Sequence, residues 1–331
     1  MGILAKLRDN ALKSDKSIIL PDGNDERTIR AAYELLHEKL CRLSVIGDRQ
    51  YILPIYEKYN PEHELDIIDI NNNEHMEKFS DYYYNLRKNK GETKESAAEA
   101  VKRPCYFGAL SVALGFYDGC VAGSISSSAE VLRAAIKCIG MQKGMSKISS
   151  FIIMETPIQE YGSNGTFFLA DIAINPNPDA ETLADIAIST SDSFKLLMEE
   201  EAKTALLSYS TLGSAEGESV DKVRQALKIV KEKRSDISIE GEIQLDAALI
   251  EEVGKRKAPN SCVAGNANVL IFPNLDAGNI GYKLTERMCK GAYATGPILQ
   301  GLAKPMNDLS RGCSYTDIKN AALVTIYQSG M

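Results

Sequence analysis

The sequence has little of what disulfide, zinc or histidine chemistry needs. Its 331 residues include seven cysteines, which is an odd number. The cysteines are scattered along the chain and form no CxxC pair, so neither a disulfide framework nor a zinc site is indicated. Three histidines are present, and His37, His63 and His75 all lie in the first quarter of the chain. A catalytic pair of histidine with serine or cysteine therefore has few candidates.

Long apolar runs and phosphate-loop motifs are also missing. No stretch approaches the roughly 18 apolar residues that a membrane span needs. The first sixteen residues have no apolar core long enough for a signal peptide, so we expect a cytoplasmic protein without membrane partners. Neither GxxxxGK[ST] nor a GxGxxG between a strand and a helix occurs, and neither an NTPase nor a dinucleotide enzyme is indicated.

The composition is that of a globular protein, with 44% hydrophobic and 25% charged residues. The chain has 38 basic and 45 acidic residues and a net charge of −7, which argues against a nucleic-acid partner. An acidic protein can still bind an anionic small molecule where a few arginines lie close together.

Short apolar runs alternate with helical patterns along the chain, which predicts βαβ units, a mostly parallel sheet and an α/β fold. About nine strands are too many for one compact domain, so we expect two α/β domains with a boundary near residue 145. The predicted strands are 18–20, 43–46, 66–70, 119–122, 148–154, 166–170, 205–208, 237–239 and 268–272. The predicted helices are 25–40, one or two in 74–102, 106–114, 129–139, 179–200, 220–233, 246–253, 279–290 and 315–328.

A serine-rich turn at 123–128 joins a predicted strand to a helix that carries Arg133. Free backbone N–H groups at a helix N-terminus bind anions, and the hydroxyls of Ser126 and Ser128 add donors. The same residues also suit an ordinary helix cap with a surface arginine. Both interpretations stay open on this loop alone.

The C-terminal segment 304–317 brings a hydroxyl, a guanidinium, a glycine and two carboxylates together between Asp308 and Asp317. Arginine suits phosphate or carboxylate recognition, and glycine permits close backbone approach. Alternatively, Ser314 and Asp317 form a capping box. Segments 241–248 and 276–283 also follow strands; helix capping is favoured for the first, and the second is either a ligand turn or a tight turn.

Taken together, these motifs resemble the phosphate acetyltransferases of the phosphate acetyl/butyryltransferase family. The resemblance rests on KPMNDLSRGCS at 304–314 and on blocks in the same order at 21–27, 160–166, 207–214, 241–248 and 267–283. It covers essentially the whole chain. A cysteine often found in the family just before the Glu-Tyr-Gly-Ser block at 160–163 is Gln159 here, so a cysteine at that place is dispensable.

The resemblance implies two α/β domains with the active site in the cleft between them, in a fold similar to the isocitrate and isopropylmalate dehydrogenases. The first domain would comprise residues 1–145 and 293–331 and carry the catalytic motif. Residues 146–292 would form the second domain, which would provide the other wall of the cleft and the contacts of a homodimer.

The resemblance also implies reversible acetyl transfer between acetyl phosphate and coenzyme A, giving acetyl-CoA and phosphate without any cofactor or metal. Ser310, Arg311 and Asp317 match the family's catalytic residues, and Arg87 and Arg133 match two further substrate-site arginines. Substrate binding is also expected at the four residues Ser126, Ser128, Tyr282 and Lys283. Without the resemblance, Arg27 and Arg87 would be placed on solvated helix faces.

This chemistry needs no histidine. A carboxylate accepts the thiol proton as the sulfur attacks the acetyl carbonyl, and an arginine stabilises the developing negative charge. We therefore expect the coenzyme A thiol to attack acetyl phosphate directly in a ternary complex. Cys313 would then have a structural role and would not act as a nucleophile. The alternatives are a phosphate butyryltransferase and a non-catalytic domain that senses acetyl-CoA.

Overall fold

The computed structural model describes residues 2–145 and 147–330, which divide into two compact units. One unit contains the chain up to Lys143 and again from Leu302, and the other runs from Gly144 to Gly301. The chain therefore returns to the first unit later than residue 293, where the sequence analysis placed the boundary. The intervening residues, Tyr293–Gln300, form an edge strand of the second unit's sheet.

Strands and helices alternate through most of the chain, as the sequence predicts. The strands are β1 (Ser17–Leu20), β2 (Arg42–Ile46), β3 (Asp66–Ile68), β4 (Gly119–Ala122), β5 (Ser149–Glu155), β6 (Thr166–Ala170), β7 (Lys203–Leu207), β8 (Ser238–Ile243), β9 (Val269–Ile271), β10 (Tyr293–Gln300) and β11 (Met306–Asp308). The helices are α1 (Ile3–Ala11), α2 (Glu26–His37), α3 (Arg49–Tyr56), α4 (Met76–Arg87), α5 (Lys94–Val101), α6 (Pro104–Ala113), α7 (Ser128–Ala134), α8 (Ala180–Met198), α9 (Glu218–Lys233), α10 (Leu245–Leu249), α11 (Glu251–Lys257), α12 (Leu275–Met288) and α13 (Tyr315–Gln328).

The first unit is built on a parallel five-stranded sheet with the order β11-β4-β1-β2-β3. All residues of β1 and β4 are buried, as expected for central strands covered by helices on both faces. One core combines these strands with aromatic residues of α4 and α6, among them Phe79, Tyr83 and Phe107. The loops after the strands all emerge at the same edge of the sheet.

The second unit is built on a six-stranded mixed sheet with the order β10-β5-β6-β9-β7-β8. Strand β5 runs antiparallel to both of its neighbours, and the pairs from β6 to β8 are parallel. Its core joins the sheet to α10 and the segment after α11, with Phe167, Leu169 and Val263 as members. Among the described residues, no helix is both long enough and apolar enough to cross a bilayer.

The α/β fold class is confirmed, but four elements were not predicted from the sequence. Helix α3 contains Pro54, and β10 contains the Gly296-Pro297 pair and a register shift, so both have residues that usually break such elements. Strand β11 is three residues long and two of them are polar. Asn307 is nevertheless fully buried, because its amide donates 2.8 Å hydrogen bonds to Thr325 and Gln328 of α13. The fourth missed element is α1.

Candidate active site

Three loops meet at the carboxyl edge of the first unit's sheet. They follow the neighbouring strands β1, β4 and β11 and comprise residues 21–25, 123–127 and 309–314. Ligands of open α/β sheets bind outside the carboxyl ends of strands, so this edge is the natural place for a site. The serine-rich turn and the C-terminal motif, which the sequence analysis identified separately, lie in two of these neighbouring loops.

The loop after β11 presents Ser310 and Arg311 at the surface and ends at the cap of α13. The Ser314 hydroxyl accepts from the Asp317 N–H at 3.2 Å, and Asp317 Oδ2 accepts from the Ser314 N–H at 2.8 Å and from its hydroxyl at 2.9 Å. The predicted capping box is therefore confirmed. The Ser310 hydroxyl accepts from the Gly312 N–H at 3.3 Å, which fixes its direction within the loop.

Arg27 connects all three loops, although the sequence analysis placed it on a solvated helix face. Its Nη1 donates to the carbonyl oxygens of Arg311 at 2.9 Å and Cys313 at 2.7 Å. Its Nη2 donates to the Ser124 carbonyl at 2.8 Å and to Asp25 at 2.7 Å. Burial opposes ionisation of Asp25, but these hydrogen bonds from Arg27 hold the pKa of Asp25 below its usual value.

The serine-rich loop gives several of its donors to a protein carboxylate. Asp22 accepts from the Gly123 N–H at 2.7 Å and from the Ser126 hydroxyl at 2.5 Å. Cys105 of α6 donates in turn to Ser126 at 3.2 Å. Ser128 is exposed at the start of α7. The structure thus places Ser126 in a hydrogen-bond network with Asp22, while Ser128, although exposed as a residue, has its hydroxyl at the Asp308 carboxyl.

The arginines that the resemblance selects differ from most others in the first unit. Within residues 2–145 and 147–330, the guanidinium groups of Arg87, Arg133 and Arg311 make no hydrogen bond or ion pair, and Arg87 Nε is buried without a partner. Arg49 of α3 is unpaired in the same way. The remaining arginines of this unit each pair with a carboxylate: Arg8, Arg27, Arg30, Arg42 and Arg103.

Each of two unpaired arginines lies near a different buried group of this core, Arg133 near Tyr106 and Arg87 near the Cys138 thiol. Burial raises the pKa of Tyr106, and the positive charges of Arg103 and Arg133 oppose that rise. Burial also raises the pKa of Cys138, and the charges of Arg87 and Arg103 oppose it. Arg103 stacks on the Tyr106 ring at 4.2 Å and pairs with Glu130 at 2.9 Å. The end of α4 and helix α7 thus each carry an arginine that has no hydrogen-bond partner among the described residues, and such a group suits an anionic ligand.

The second unit contains the remaining predicted residues. Tyr282 and Lys283 lie on α12, which begins at Leu275, so segment 276–283 is a helix and not a turn. Lys283 Nζ lies 5.8 Å from the centre of the Tyr282 ring. In segment 241–248, Glu242 is not a helix cap, because it is buried and accepts from Arg224 and Ser210 at 3.0 Å each.

Among the described residues, no cluster of three histidine, cysteine or carboxylate side chains is placed to bind a metal ion. The carboxyl edge offers an exposed serine, an exposed arginine and a carboxylate at the start of α13. Those groups suit the binding of anions and the transfer of a proton.

Comparison with known proteins decides the family. The family model described as phosphate acetyl/butaryl transferase matches residues 2–326. A phosphate acetyltransferase of Thermoanaerobacterium thermosaccharolyticum is 46% identical over 99% of this chain and 100% of its own length. The chain belongs to this family. The resemblance inferred from the sequence motifs is thereby confirmed.

Solved structures agree with the family and with the fold. A phosphotransacetylase from Streptococcus pyogenes superposes with a TM-score of 0.92 at 38% identity, covering 99% of this chain and 98% of that one. A 4-hydroxythreonine-4-phosphate dehydrogenase from Klebsiella pneumoniae reaches a TM-score of 0.57 at 10% identity, covering 96% and 100%. The second likeness shows the fold alone, and it is consistent with the predicted likeness to dehydrogenases.

The structure adds three residues that the site predictions omitted. Asp22 and Arg27 lie in the family block at 21–27, and Asp308 lies in the C-terminal motif. Their positions in those blocks were the available signal, but the contacts that explain them join segments about 100 and 280 residues apart in sequence. Spacing along the chain does not reveal such contacts.

Proposed function

We propose that this protein is a phosphate acetyltransferase, which transfers acetyl reversibly between acetyl phosphate and coenzyme A. The observation that carries the proposal is the similarity over the whole chain to phosphate acetyltransferases, together with an exposed Ser310-Arg311 pair at the carboxyl edge of a parallel sheet. The two substrates need no resident cofactor, because coenzyme A is itself consumed. A cytoplasmic location and the absence of nucleic-acid partners belong to the same proposal.

The proposed chemistry starts with the thiol of coenzyme A. Asp317, in the first turn of α13, accepts the thiol proton as the sulfur attacks the acetyl carbonyl carbon. The carbonyl electrons move to oxygen and return as the bond to phosphate breaks, so thioester and phosphate are formed. Arg311 stabilises the negative charge on the carbonyl oxygen and the leaving phosphate. The Ser310 hydroxyl donates a hydrogen bond to the sulfur or to the same oxygen.

Direct transfer is favoured over an acetylated enzyme. A covalent route would need an activated nucleophile beside a base. Cys313 is the nearest thiol to the motif, but it is buried, and burial raises its pKa to about 11, so it is protonated at neutral pH. Arg27 opposes that rise without reversing it. The structure therefore supports a structural Cys313.

The unpaired arginines suit the phosphate groups of coenzyme A. Arg87 and Arg133 have guanidinium donors without a partner among the described residues, and each can form paired, charge-assisted hydrogen bonds with a phosphate. Ser126 and Ser128 lie in the loop before Arg133 and would contact the same ligand, Ser126 after exchange of its bond to Asp22. Tyr282 and Lys283 are proposed as further substrate contacts.

We also propose a homodimer formed through the second unit. Ile280, Leu284 and Met288 are spaced four residues apart on α12 and are 58%, 52% and 80% exposed, which gives one apolar stripe. A second copy of the same helix would cover it symmetrically. Light scattering should give a dimer for the wild type, a monomer for the double variant Ile280→Glu/Leu284→Glu, and a dimer for Leu12→Glu, which alters an exposed leucine elsewhere. A monomeric wild type would contradict the dimer.

A thioester absorbance assay tests the activity. Purified protein mixed with coenzyme A and acetyl phosphate should produce acetyl-CoA, and the same mixture with Arg311→Ala should produce much less. If the wild type forms no thioester from acetyl phosphate or from butyryl phosphate, the proposed enzyme is wrong and a ligand-sensing role is favoured.

A further inference from the structure

Asp308, the last residue of β11, is a buried carboxyl that the proposed reaction does not use. It is 4% exposed, and its Oδ1 makes no hydrogen bond with any residue in the described part of the chain. An ionised oxygen without a partner in such a place is strongly unfavourable, whereas a protonated carboxyl is tolerated far better. The next three residues are Leu309, Ser310 and Arg311, so any change at Asp308 acts directly on the proposed catalytic loop.

The loop after β4 lies directly against this carboxyl. Gly123 has a φ of +114°, and a Cβ atom there would lie 2.5 Å from Asp308 Oδ1 and 2.6 Å from the backbone nitrogen of Leu309. No side chain fits in that space. Asp308 and the serine-rich loop are therefore in van der Waals contact.

A second buried carboxylate contacts the same glycine. Asp22 is also 4% exposed, but it accepts from the Gly123 N–H and from the Ser126 hydroxyl. Two carboxyl groups thus contact Gly123. Asp22 accepts from the donors of the serine-rich loop, whereas Asp308 has only the Ser128 hydroxyl and the Leu309 N–H, and its Oδ1 has no partner in the described part of the chain. When two carboxyls share a site, the one with fewer donors retains the proton.

Of the titratable groups around Asp308, Asp22 is the one whose charge acts on it. Burial raises the pKa of Asp308 to about 6; the Ser128 hydroxyl opposes this rise and the negative charge of Asp22 adds to it. The thiols of Cys105 and Cys120 lie on α6 and β4, and burial raises the pKa of both, so they are neutral. Arg27 is already paired with Asp25.

We propose that Asp308 is a positioning residue whose protonation sets the affinity of the adjacent loops for phosphate-bearing substrates. In the neutral form, Asp22 alone contributes negative charge behind the serine-rich loop. When Asp308 loses its proton, a second negative charge appears there, next to the loop that binds the substrate anion. The inference rests on the proposed function, because it assigns substrate binding to these loops.

Thermal unfolding tests the protonation without any need for activity. A folded-state pKa above the unfolded value of about 3.9 means that stability falls as pH rises from about 4 to about 6. Asp308→Asn, a permanently neutral isostere, should raise Tm at pH 8 by several degrees more than at pH 4.5. Asp9→Asn, which removes an exposed carboxylate from α1, should show no such difference. An equal Tm change for Asp308→Asn at both pH values would overturn the proposal.

Kinetics test the effect on binding. With acetyl-CoA as the second substrate, KM for phosphate should be alike in wild type and Asp308→Asn at pH 5.5. At pH 8 the wild-type KM should be severalfold higher than that of the variant. Because the two proteins are compared at each pH, the effect of phosphate ionisation on KM cancels. A KM ratio that does not change with pH would contradict the proposed role. If no thioester or phosphorolysis activity is found at all, the proposed function fails, while the unfolding result still reports on Asp308.

A measurement on the wild type covers the case in which Asp308→Asn does not fold. Infrared difference spectra between pH 4.5 and pH 8 should contain a protonated carboxyl band that disappears with a midpoint near pH 6, above the range of exposed carboxyls. The absence of such a band would overturn the proposal.

Discussion

At the scale of single residues, the proposed site is distinguished by which charges have partners. Arg87, Arg133 and Arg311 have no protein partner among the described residues, while most other arginines of the first unit are held by carboxylates. A guanidinium left unpaired keeps its donors available for a substrate. The sequence motifs selected these three arginines by position, but only the structure shows that they are unpaired.

Replacing these arginines tests their proposed role. Removing a charge-assisted hydrogen bond should cost about 1.5–3 kcal/mol, so Arg87→Ala and Arg133→Ala should each raise KM for coenzyme A by roughly one to two orders of magnitude. Arg49→Ala is the matched control, because Arg49 is also unpaired and lies in the same unit. If Arg87→Ala and Arg133→Ala raise KM for coenzyme A no more than Arg49→Ala does, the first two arginines do not bind the substrate.

Asp317 is proposed to have two roles, and two variants separate them. Asp317→Asn can still accept the hydrogen bonds from Ser314, so the fold should persist while kcat falls about 10²–10⁴-fold. Ser314→Ala removes the cap and should cost about 1 kcal/mol of stability with a much smaller loss of kcat. Steady-state kinetics and denaturant unfolding measure both quantities. The base assignment is wrong if Asp317→Asn retains wild-type kcat.

At the scale of secondary-structure elements, the sequence predicted most helices and strands well. Strands β4 and β6 and helix α13 match the predictions at both ends, because clear apolar patterns and a capping box define them. Strand β11 was missed because it is short and because its buried Asn307 depends on partners in α13 that are distant in sequence. That strand aligns the catalytic motif with the serine-rich loop. The sequence therefore predicted which residues belong to the site better than it predicted how they are arranged.

Arg27 shows how one side chain of α2 positions two neighbouring loops. Lysine cannot reach the carbonyls of Arg311, Cys313 and Ser124 together while it pairs with Asp25. Because small misplacements of catalytic groups are costly, Arg27→Lys should lower kcat roughly 10- to 100-fold with a smaller change in KM.

Arg30→Lys provides the control on the same helix. Arg30 stacks on the Tyr315 ring of α13 at 3.6 Å and pairs with Glu34, but it makes no hydrogen bond to the three loops among the described residues. Its variant should retain a kcat close to that of the wild type. If the two lysine variants have the same kcat, Arg27 does not position the catalytic loop.

At the scale of the whole molecule, an acidic protein is proposed to act on two anionic substrates. With a net charge of −7, the protein as a whole does not attract them, so local arginines must supply the positive charge. Family membership follows from the similarity over the whole chain, and the preference for acetyl over a longer acyl group is the most specific part of the account.

The ratio of kcat/KM for acetyl phosphate to that for butyryl phosphate tests this account most directly. Both substrates are assayed with the wild-type protein at saturating coenzyme A, and thioester formation is followed by absorbance. We expect a ratio above one. A ratio below one would contradict it and identify the protein as a phosphate butyryltransferase.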